Sequence, residues 1–384
     1  MSAPAGAGDV VLRAEHLSVS YAARRPVRAV RDVSLELRRG EVLGIVGESG
    51  CGKSTLAYAL TRLLRPPAEL TEGTITFCGK DRRRVDLTAL AGEQLRRYRS
   101  TRIAMVFQSA MNALNPVTSI AHQFRDIFGA HDTGMDRGAM DARTGDLLEM
   151  VGIDRGRLRS FAHELSGGMR QRVIIAMALA LDPEVVIMDE PTTALDVVVQ
   201  QEILDEIERL REALGFSIIF ITHDLSLLLE ISDTLAVMYA GKVVEYAPTE
   251  QVAAAPAHPY TLGLLRSFPD MRGERRELRG IPGTPPDLSE QIAGCAFAAR
   301  CGYSVEACRT TSPPLLPLPG RFGGGVAVAG WNAACHLHNP DLCPGGPPPE
   351  LSGAAAGRPD RPAAVANGLV SEGTAAGDSS GGFQ

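Results

Sequence analysis

Gly47-Glu48-Ser49-Gly50-Cys51-Gly52-Lys53-Ser54-Thr55 carries the densest chemistry in the chain. It fits G-x-x-x-x-G-K-[ST], the pattern of a phosphate-binding loop. Glycines let the backbone curl until successive N–H groups point at one anion. Lys53 suits the β- and γ-phosphates of a nucleoside triphosphate, and the Ser54 hydroxyl suits Mg²⁺. A second glycine pair stands in Leu165-Ser166-Gly167-Gly168-Met169-Arg170-Gln171-Arg172. Ser166 is a good helix N-cap, and Gly167 and Gly168 expose backbone N–H groups. That makes either a second anion site or a simple capped helix start. Asp189 and Glu190 close the run 184–191. The first carboxylate can hold Mg²⁺ through water, and the second can polarise an attacking water. Gln108 ends another apolar run and can touch the metal or that water, although a solvated loop residue fits the same position. His223 ends a third run, where a lone histidine is usually structural. Tyr21 lies upstream of the loop and can stack on a nucleobase, or simply end a strand.

These residues need elements to carry them. Val42 to Val46 reads as a buried strand leading into the loop, and Ser54 to Leu64 reads as a helix leading out, stopped by Pro66-Pro67. Val10 to Ser20, Val30 to Leu37 and Thr74 to Phe77 alternate as antiparallel strands, which beside a parallel core suggests a mixed sheet. Ile103 to Phe107, the run 184–191, Ser217 to Ile221 and the run 235–239 supply further strands. Ile120 to Phe128 and Met140 to Val151 have helical spacing and read as an inserted helical subdomain. Val173 to Leu181 and Val197 to Leu214 are further helices. Cys51 can be read in two ways. A helix N-terminus lowers a thiol's pKa and would make it reactive. A small filler residue needs no reactivity.

The chain has 384 residues, room for one large or two modest domains. A net charge of −6 gives no case for nonspecific nucleic-acid binding. No apolar run is long enough to span a bilayer, and residues 1–9 lack the pattern of a signal peptide, so a cytoplasmic location is expected. Residues 346–384 are rich in Gly, Ala, Pro and Ser and are expected to be disordered.

Taken together, Tyr21, GESGCGKST at 47–55, Gln108, LSGGMRQR at 165–172, VVIMDEP at 185–191, ALD at 194–196 and THD at 222–224 resemble the nucleotide-binding subunit of an ABC (ATP-binding cassette) transporter. The likeness covers residues 10–255. It implies a P-loop NTPase (RecA-like) α/β core with an antiparallel β-subdomain and a helical subdomain over about 95–180. It also implies two cassettes that sandwich ATP, each presenting its LSGG segment to the other's phosphate loop. In that frame Tyr21 stacks adenine, and Gly47, Glu48, Ser49, Gly50, Cys51, Gly52, Lys53, Ser54 and Thr55 hold phosphates. Ser166, Gly167, Gly168 and Gln171 serve the partner's ATP. Ser54, Gln108 and Asp189 surround Mg²⁺, Glu190 polarises the water, and His223 contacts the γ-phosphate. The expected activity is ATP hydrolysis coupled to transport. A soluble ABC protein acting on DNA or ribosomes is the rival, disfavoured by the single cassette and the negative charge.

Ala257-His258-Pro259-Tyr260-Thr261, Ile281 to Leu288 and Leu114-Asn115-Pro116 resemble segments of the oligopeptide/dipeptide importer ATPases. That group implies peptide cargo, with nickel or another small solute as the alternative. It implies as partners a second ATPase in a heterodimer, two permease subunits and an extracellular binding protein, with the cassette peripheral on the cytoplasmic face of the membrane. Gln108 to Pro116, with Met111 and Leu114, is expected to line the groove for the permease. Ser109-Ala110 departs from the Asp-Pro that members often carry. Residues 256–345 form a C-terminal segment in which Cys295, Cys301, Cys308 and Cys335 stand as C-x5-C-x6-C-x26-C. Disulfides are disfavoured in a reducing compartment. Zinc accepts four thiolates but usually shows close C-x2–4-C pairs. A [4Fe–4S] cluster suits wider spacing, and the importer resemblance points to it, with Cys335 preferred to Cys343 because Ala334-Cys335-His336 resembles the group's segment. The expectation is therefore a small cysteine-rich metal-cluster segment, with unligated thiols as the third alternative.

Overall fold

A computed structural model describes residues 9–108, 113–193, 195–267, 280–318 and 330–351. The chain opens on two long antiparallel strands, β1 (Val10–Tyr21) and β2 (Val27–Arg38). Then β3 (Val42–Val46), buried at all positions, leads into the phosphate loop and α1 (Lys53–Leu60). Next come β4 (Ala68–Cys78), β5 (Arg84–Asp86), α2 (Gly92–Tyr98) and β6 (Ile103–Val106). Helices α3 (Ile120–Ala130), α4 (Arg137–Met150) and α5 (Gly167–Ala178) follow. The rest of the nucleotide-facing core is β7 (Val185–Asp189), α6 (Val197–Leu214), β8 (Ser217–Ile221), α7 (Leu225–Ile231) and β9 (Thr234–Tyr239). Finally β10 (Lys242–Pro248), α8 (Thr249–Ala254), α9 (Pro259–Ser267), β11 (Leu316–Pro317) and β12 (Asn332–Ala333) complete the described part.

The main sheet runs β11-β12-β10-β9-β3-β8-β7-β6, and a separate sheet runs β2-β1-β4-β5. The early antiparallel strands therefore do not join the parallel core, as a single mixed sheet would require. The main sheet gains its antiparallel part from the β9–β10 hairpin and from β12 instead. The reason lies in alternation along the central strands. Leu43, Ile45, Ile187, Ile219 and Ile221 pack with α1 and the antiparallel sheet. Val42, Val46, Met188, Ile218 and Phe220 pack with the helical side. A parallel sheet so loaded must be covered on both faces. The antiparallel sheet is one cover and the helices are the other.

Helix α1 stops four residues earlier than its apolar spacing suggests. Arg62 takes a left-handed φ of 57°, and its N–H donates to the Ala59 carbonyl at 2.9 Å. The Leu63 N–H reaches the Tyr58 carbonyl at 2.7 Å, which completes a Schellman closure. At the other end of the chain, ordered structure continues past residue 346, where disorder was expected to begin. Pro349–Leu351 form a short 3-10 turn, and Leu351 is buried against Leu262 and Leu337.

The C-terminal segment is knitted into the core through Glu245 on β10, which is fully buried. Its carboxylate accepts the N–H groups of Ala257 at 2.8 Å and His258 at 2.9 Å, and the Trp331 indole N–H at 3.4 Å. A buried carboxylate is tolerated only where donors meet it, so this cluster fixes how α9 and residue 331 dock. Burial holds the Glu245 carboxyl above the usual carboxylate range. Burial likewise pushes His258 down to about 3, so it is neutral and its Nδ1 accepts the Tyr260 N–H at 3.0 Å.

In the helical subdomain, α3 and α4 bury Phe124, Phe128, Leu147 and Leu148, and Arg125 grips Asp141 with two bonds at 2.7 and 2.8 Å. Leu114 belongs to the same core and is only 5% exposed. It therefore does not line an open groove, as the segment 108–116 was expected to do. Gln108, Ala113, Asn115 and Pro116 are the exposed described residues there, while Met111 lies outside the described residues. Leu114→Ala should act as a core truncation and cost about 2–5 kcal/mol. Its denaturation midpoint should drop accordingly; a variant of unchanged stability that loses only transport coupling would restore the groove assignment.

Candidate functional site

The parallel strands deliver their C-terminal ends to one edge. Asp189 pairs with Ile221 in register, and Ile45 also pairs with Ile221. The residues that follow each strand must therefore meet: the phosphate loop after β3, Glu190 after β7 and His223 after β8. The loop's shape rests on glycine. Gly52 has a φ of 104°, and a Cβ there would lie 2.1 Å from the Ala29 carbonyl oxygen. A Cβ at Gly47 would lie 2.2 Å from the Met238 carbonyl oxygen. Lys53 is buried in the loop, its ammonium donating to the carbonyls of Gly47 at 2.6 Å and Glu48 at 3.1 Å.

Ser54 donates to Asp189 Oδ1 at 3.1 Å. Asp189 is fully buried, and its Oδ2 has no hydrogen-bond partner. Burial raises its pKa, opposed mainly by the Ser54 bond. A buried carboxylate oxygen left unpaired beside a serine hydroxyl is a donor set that fits Mg²⁺. Gln108, expected beside them, turns elsewhere. Its Nε2 donates to Glu190 Oε2 at 2.9 Å. Thr193 Oγ1 donates to the same oxygen at 3.0 Å, and His223 Nδ1 lies 3.3 Å from Glu190 Oε1. Glu190 itself has a φ of 47°, held by its N–H on the Ile221 carbonyl at 2.8 Å. Left-handed backbone at a bulky residue costs free energy and collects at functional sites. Tyr21 meets Thr55 on α1, hydroxyl to hydroxyl, at 3.0 Å.

The other expected residues divide. Ser166, itself exposed, caps α5 by accepting the Met169 N–H at 3.2 Å, and the half-buried Gly167 and Gly168 form its first turn. Gln171 is only 2% exposed and its Nε2 lacks a partner, so it faces inward rather than outward with Ser166. Glu48 directs its carboxylate to Arg300, and its N–H to the Tyr260 hydroxyl at 2.9 Å. Cys51 is 5% exposed, and burial raises its pKa, with Lys53 opposing. The filler reading of that thiol prevails over the reactive one, because desolvation outweighs the opposing charge and backbone hydrogen bond of Lys53.

Cys295, Cys301, Cys308 and Cys335 are gathered into one neighbourhood. The first three act electrostatically on Cys335, and the Cys295 N–H donates to the Cys308 carbonyl at 2.8 Å. Burial pushes Cys295 up to about 11 and Cys335 up to about 12. Cys343 donates to the Gly346 carbonyl at 3.4 Å. Among the described residues, no group of three or more His, Cys, Asp or Glu side chains is set to hold a metal ion. The expected zinc or [4Fe–4S] centre thus gains no support here: burial raises the pKa of Cys295, Cys301 and Cys335, in surroundings that penalise thiolates.

The ABC transporter family matches over residues 30–193, and the family described as oligopeptide/dipeptide transporter, C-terminal region, matches over 244–308. A putative peptide import ATP-binding protein of Brucella melitensis is 44% identical over 308 residues, covering 78% of this chain and 91% of that protein. The chain belongs to the ABC transporter ATP-binding proteins of the oligopeptide/dipeptide group. The oligopeptide transport ATP-binding protein of Bacillus subtilis is 43% identical to this cassette, over 76% of the chain and 80% of that protein. Among solved structures, a dimeric bacterial ABC transporter cassette superposes with a TM-score of 0.55 at 26% identity, covering 62% of this chain and 98% of that one. A dimeric post-hydrolysis cassette bound to ADP and Pi gives 0.54 at 25% identity, with the same coverage.

Sequence reasoning missed Thr193, Tyr260 and Arg300 in this cassette. The signals available for α9, which carries Tyr260, were Pro259 at its start and the likeness of Ala257-His258-Pro259-Tyr260-Thr261 to the importer ATPases. Because Cys51 is buried and neutral, a maleimide should label it slowly at neutral pH in the folded chain and readily in denaturant. Labelling of Cys51 in the folded chain as fast as in denaturant would show that the thiol is open.

Proposed function

We infer that this chain is the ATP-hydrolysing subunit of an ABC importer for peptides, peripheral on the cytoplasmic face of the membrane. The observation that carries the catalytic reading is the convergence of Gln108, Thr193 and His223 on Glu190, next to the Ser54–Asp189 pair. The match over 244–308 and the names of the relatives support peptide cargo. The described helices include none long and apolar enough to cross a membrane. Crossing is therefore assigned to two permease subunits, with an extracellular binding protein supplying cargo.

In the mechanism proposed, loop amides and Lys53 bind the phosphates of ATP, and Tyr21 stacks on adenine. Ser54 and Asp189 would hold Mg²⁺, which supplies charge neutralisation at the phosphates. Two donors, Gln108 and Thr193, occupy Glu190 Oε2, so Oε1, beside His223, is the oxygen assigned to the attacking water. Glu190 orients that water and takes its proton, and His223 contacts the γ-phosphate. Catalysis is then mainly positioning and charge stabilisation. Ser166 to Gly168 present their N–H groups to ATP bound by a second cassette, proposed to be a different chain. Gln171 supports α5 from inside.

The finer reading of the cysteine segment is a [4Fe–4S] cluster on Cys295, Cys301, Cys308 and Cys335. It rests on a donor set of thiols alone and on their proximity. Its function would be structural, ordering a loop-rich segment. Anaerobic purification should give iron and acid-labile sulfide, lost in Cys335→Ser and kept in Cys343→Ser; stoichiometric zinc without sulfide would rule the cluster out. For the ATPase, Glu190→Gln should keep nucleotide binding and reduce turnover by roughly a hundredfold or more. Phosphate release measured beside ATP affinity decides it, and near-normal turnover would remove Glu190 from the role.

A further inference from the structure

Arg300 is 252 positions from Glu48 in sequence, yet it is bound to the phosphate loop. Its Nη1 and Nη2 donate to the two Glu48 carboxylate oxygens at 2.8 and 2.9 Å, a forked ion pair. The rest of the guanidinium is also used. Nε donates to the Pro282 carbonyl at 2.7 Å, Nη2 to the Ile281 carbonyl at 3.3 Å, and Nη1 to the Tyr239 hydroxyl at 3.2 Å. The rings of Tyr239 and Phe297 lie 5.7 and 5.8 Å from its central carbon. With its side chain 5% exposed, Arg300 is locked in place before any ligand arrives. An arginine so placed is not interchangeable with lysine, because only the planar fork makes all these bonds at once.

The loop needs this partner for two reasons. Glu48 puts a carboxylate within a loop built to face a polyanion, and an unpaired like charge there opposes phosphate binding. The loop backbone at Glu48 must also hold one orientation, and the Tyr260 hydroxyl accepts its N–H from α9. Both attachments come from the chain beyond residue 255. Arg300 itself sits in the Ala298–Arg300 turn, between Cys295 and Cys301. Pro285, Pro286 and Leu288 of the same segment wall a cavity of about 290 Å³ against Glu48 to Cys51.

We propose that Arg300 is a positioning residue of the ATP site, cancelling the Glu48 charge and holding the loop in its phosphate-binding shape. The C-terminal segment is then part of the nucleotide site. The inference rests on the reading of residues 47–55 as the ATP-binding loop, and the experiment separates the two. Mg-ATP affinity, KM, kcat and melting temperature are measured on the full-length chain and on Arg300→Ala, Arg300→Lys and the double variant Arg300→Ala/Glu48→Gln. Wild type is expected to bind Mg-ATP. Arg300→Ala should weaken affinity by about tenfold or more, chiefly in KM, as expected when a half-buried carboxylate beside the phosphates loses its partner. Arg300→Lys should fall between the two. The double variant should regain much of the affinity, since no unpaired carboxylate remains; loss of folding support alone would give no such rescue. A wild type that does not bind ATP overturns the loop assignment instead. Wild-type binding with Arg300→Ala within twofold, or a double variant as weak as the single one, overturns the role of Arg300. If Arg300→Ala does not fold, Arg300→Lys decides: wild-type affinity there overturns the proposal, and a loss of threefold or more supports it.

Discussion

A loop that turns its backbone N–H groups toward an anion cannot also use them to hold its own shape. Apart from the Cys51 N–H on the Glu48 carbonyl at 3.2 Å and the Lys53 ammonium on the Gly47 and Glu48 carbonyls, residues 47–53 are therefore shaped from behind, by elements from across the chain. The Met238 carbonyl of β9 presses on Gly47, and the Ala29 carbonyl of β2 presses on Gly52. The Gly241 N–H, in the β9–β10 turn, donates to the Cys51 carbonyl at 2.9 Å, and the Arg31 N–H donates to the Gly241 carbonyl at 2.8 Å. The antiparallel sheet, the parallel core and the C-terminal segment must all be assembled before the loop has a fixed form. The two-sided burial of β3 makes that assembly cooperative, since neither face can be left bare.

The same sheet geometry places the acidic residues. Strands β3, β8 and β7 lie side by side and parallel, so their C-terminal ends open on one crevice, where open α/β sheets bind ligands. Aspartates then turn the chain away from that crevice. Asp196 caps α6 by accepting the Val199 N–H at 3.0 Å, and Asp224 caps α7 by accepting those of Ser226 and Leu227. Motif positions that carry no reacting group thus set where the reacting ones end.

Much of this was legible in the sequence because it depends on local pattern. Helix α6 and strand β8 have the bounds that their apolar spacing predicts, and Ser166 caps α5 as its residue type demands. The failures share a different cause. The end of α1 was set by a left-handed Arg62, a residue type with no preference for that conformation. Leu114 and Gln171 sit in loop-like or polar surroundings in sequence but are buried by partners distant in the chain. The thiol of Cys51 responds to burial that no neighbouring residue announces. Arg300 and Tyr260 reach the phosphate loop only because the segment beyond residue 255 folds back over β9 and β10, and no spacing rule reports such a contact.

One modest feature of the main sheet governs how it ends. Beyond β10 the sheet tapers into two-residue strands, with Asn332 and Ala333 paired to Tyr246 and Glu245, and Leu316 and Pro317 paired in turn to β12. Proline has no N–H to offer a further strand, and so short a margin gives an incoming chain little backbone to copy. Without this fringe, the edge of β10 from Val244 to Tyr246 would stand as a template for cross-β pairing between molecules. The C-terminal strands therefore act as a hem on the sheet. They cover the middle of the β10 edge and replace it with a margin too short to guide a further strand.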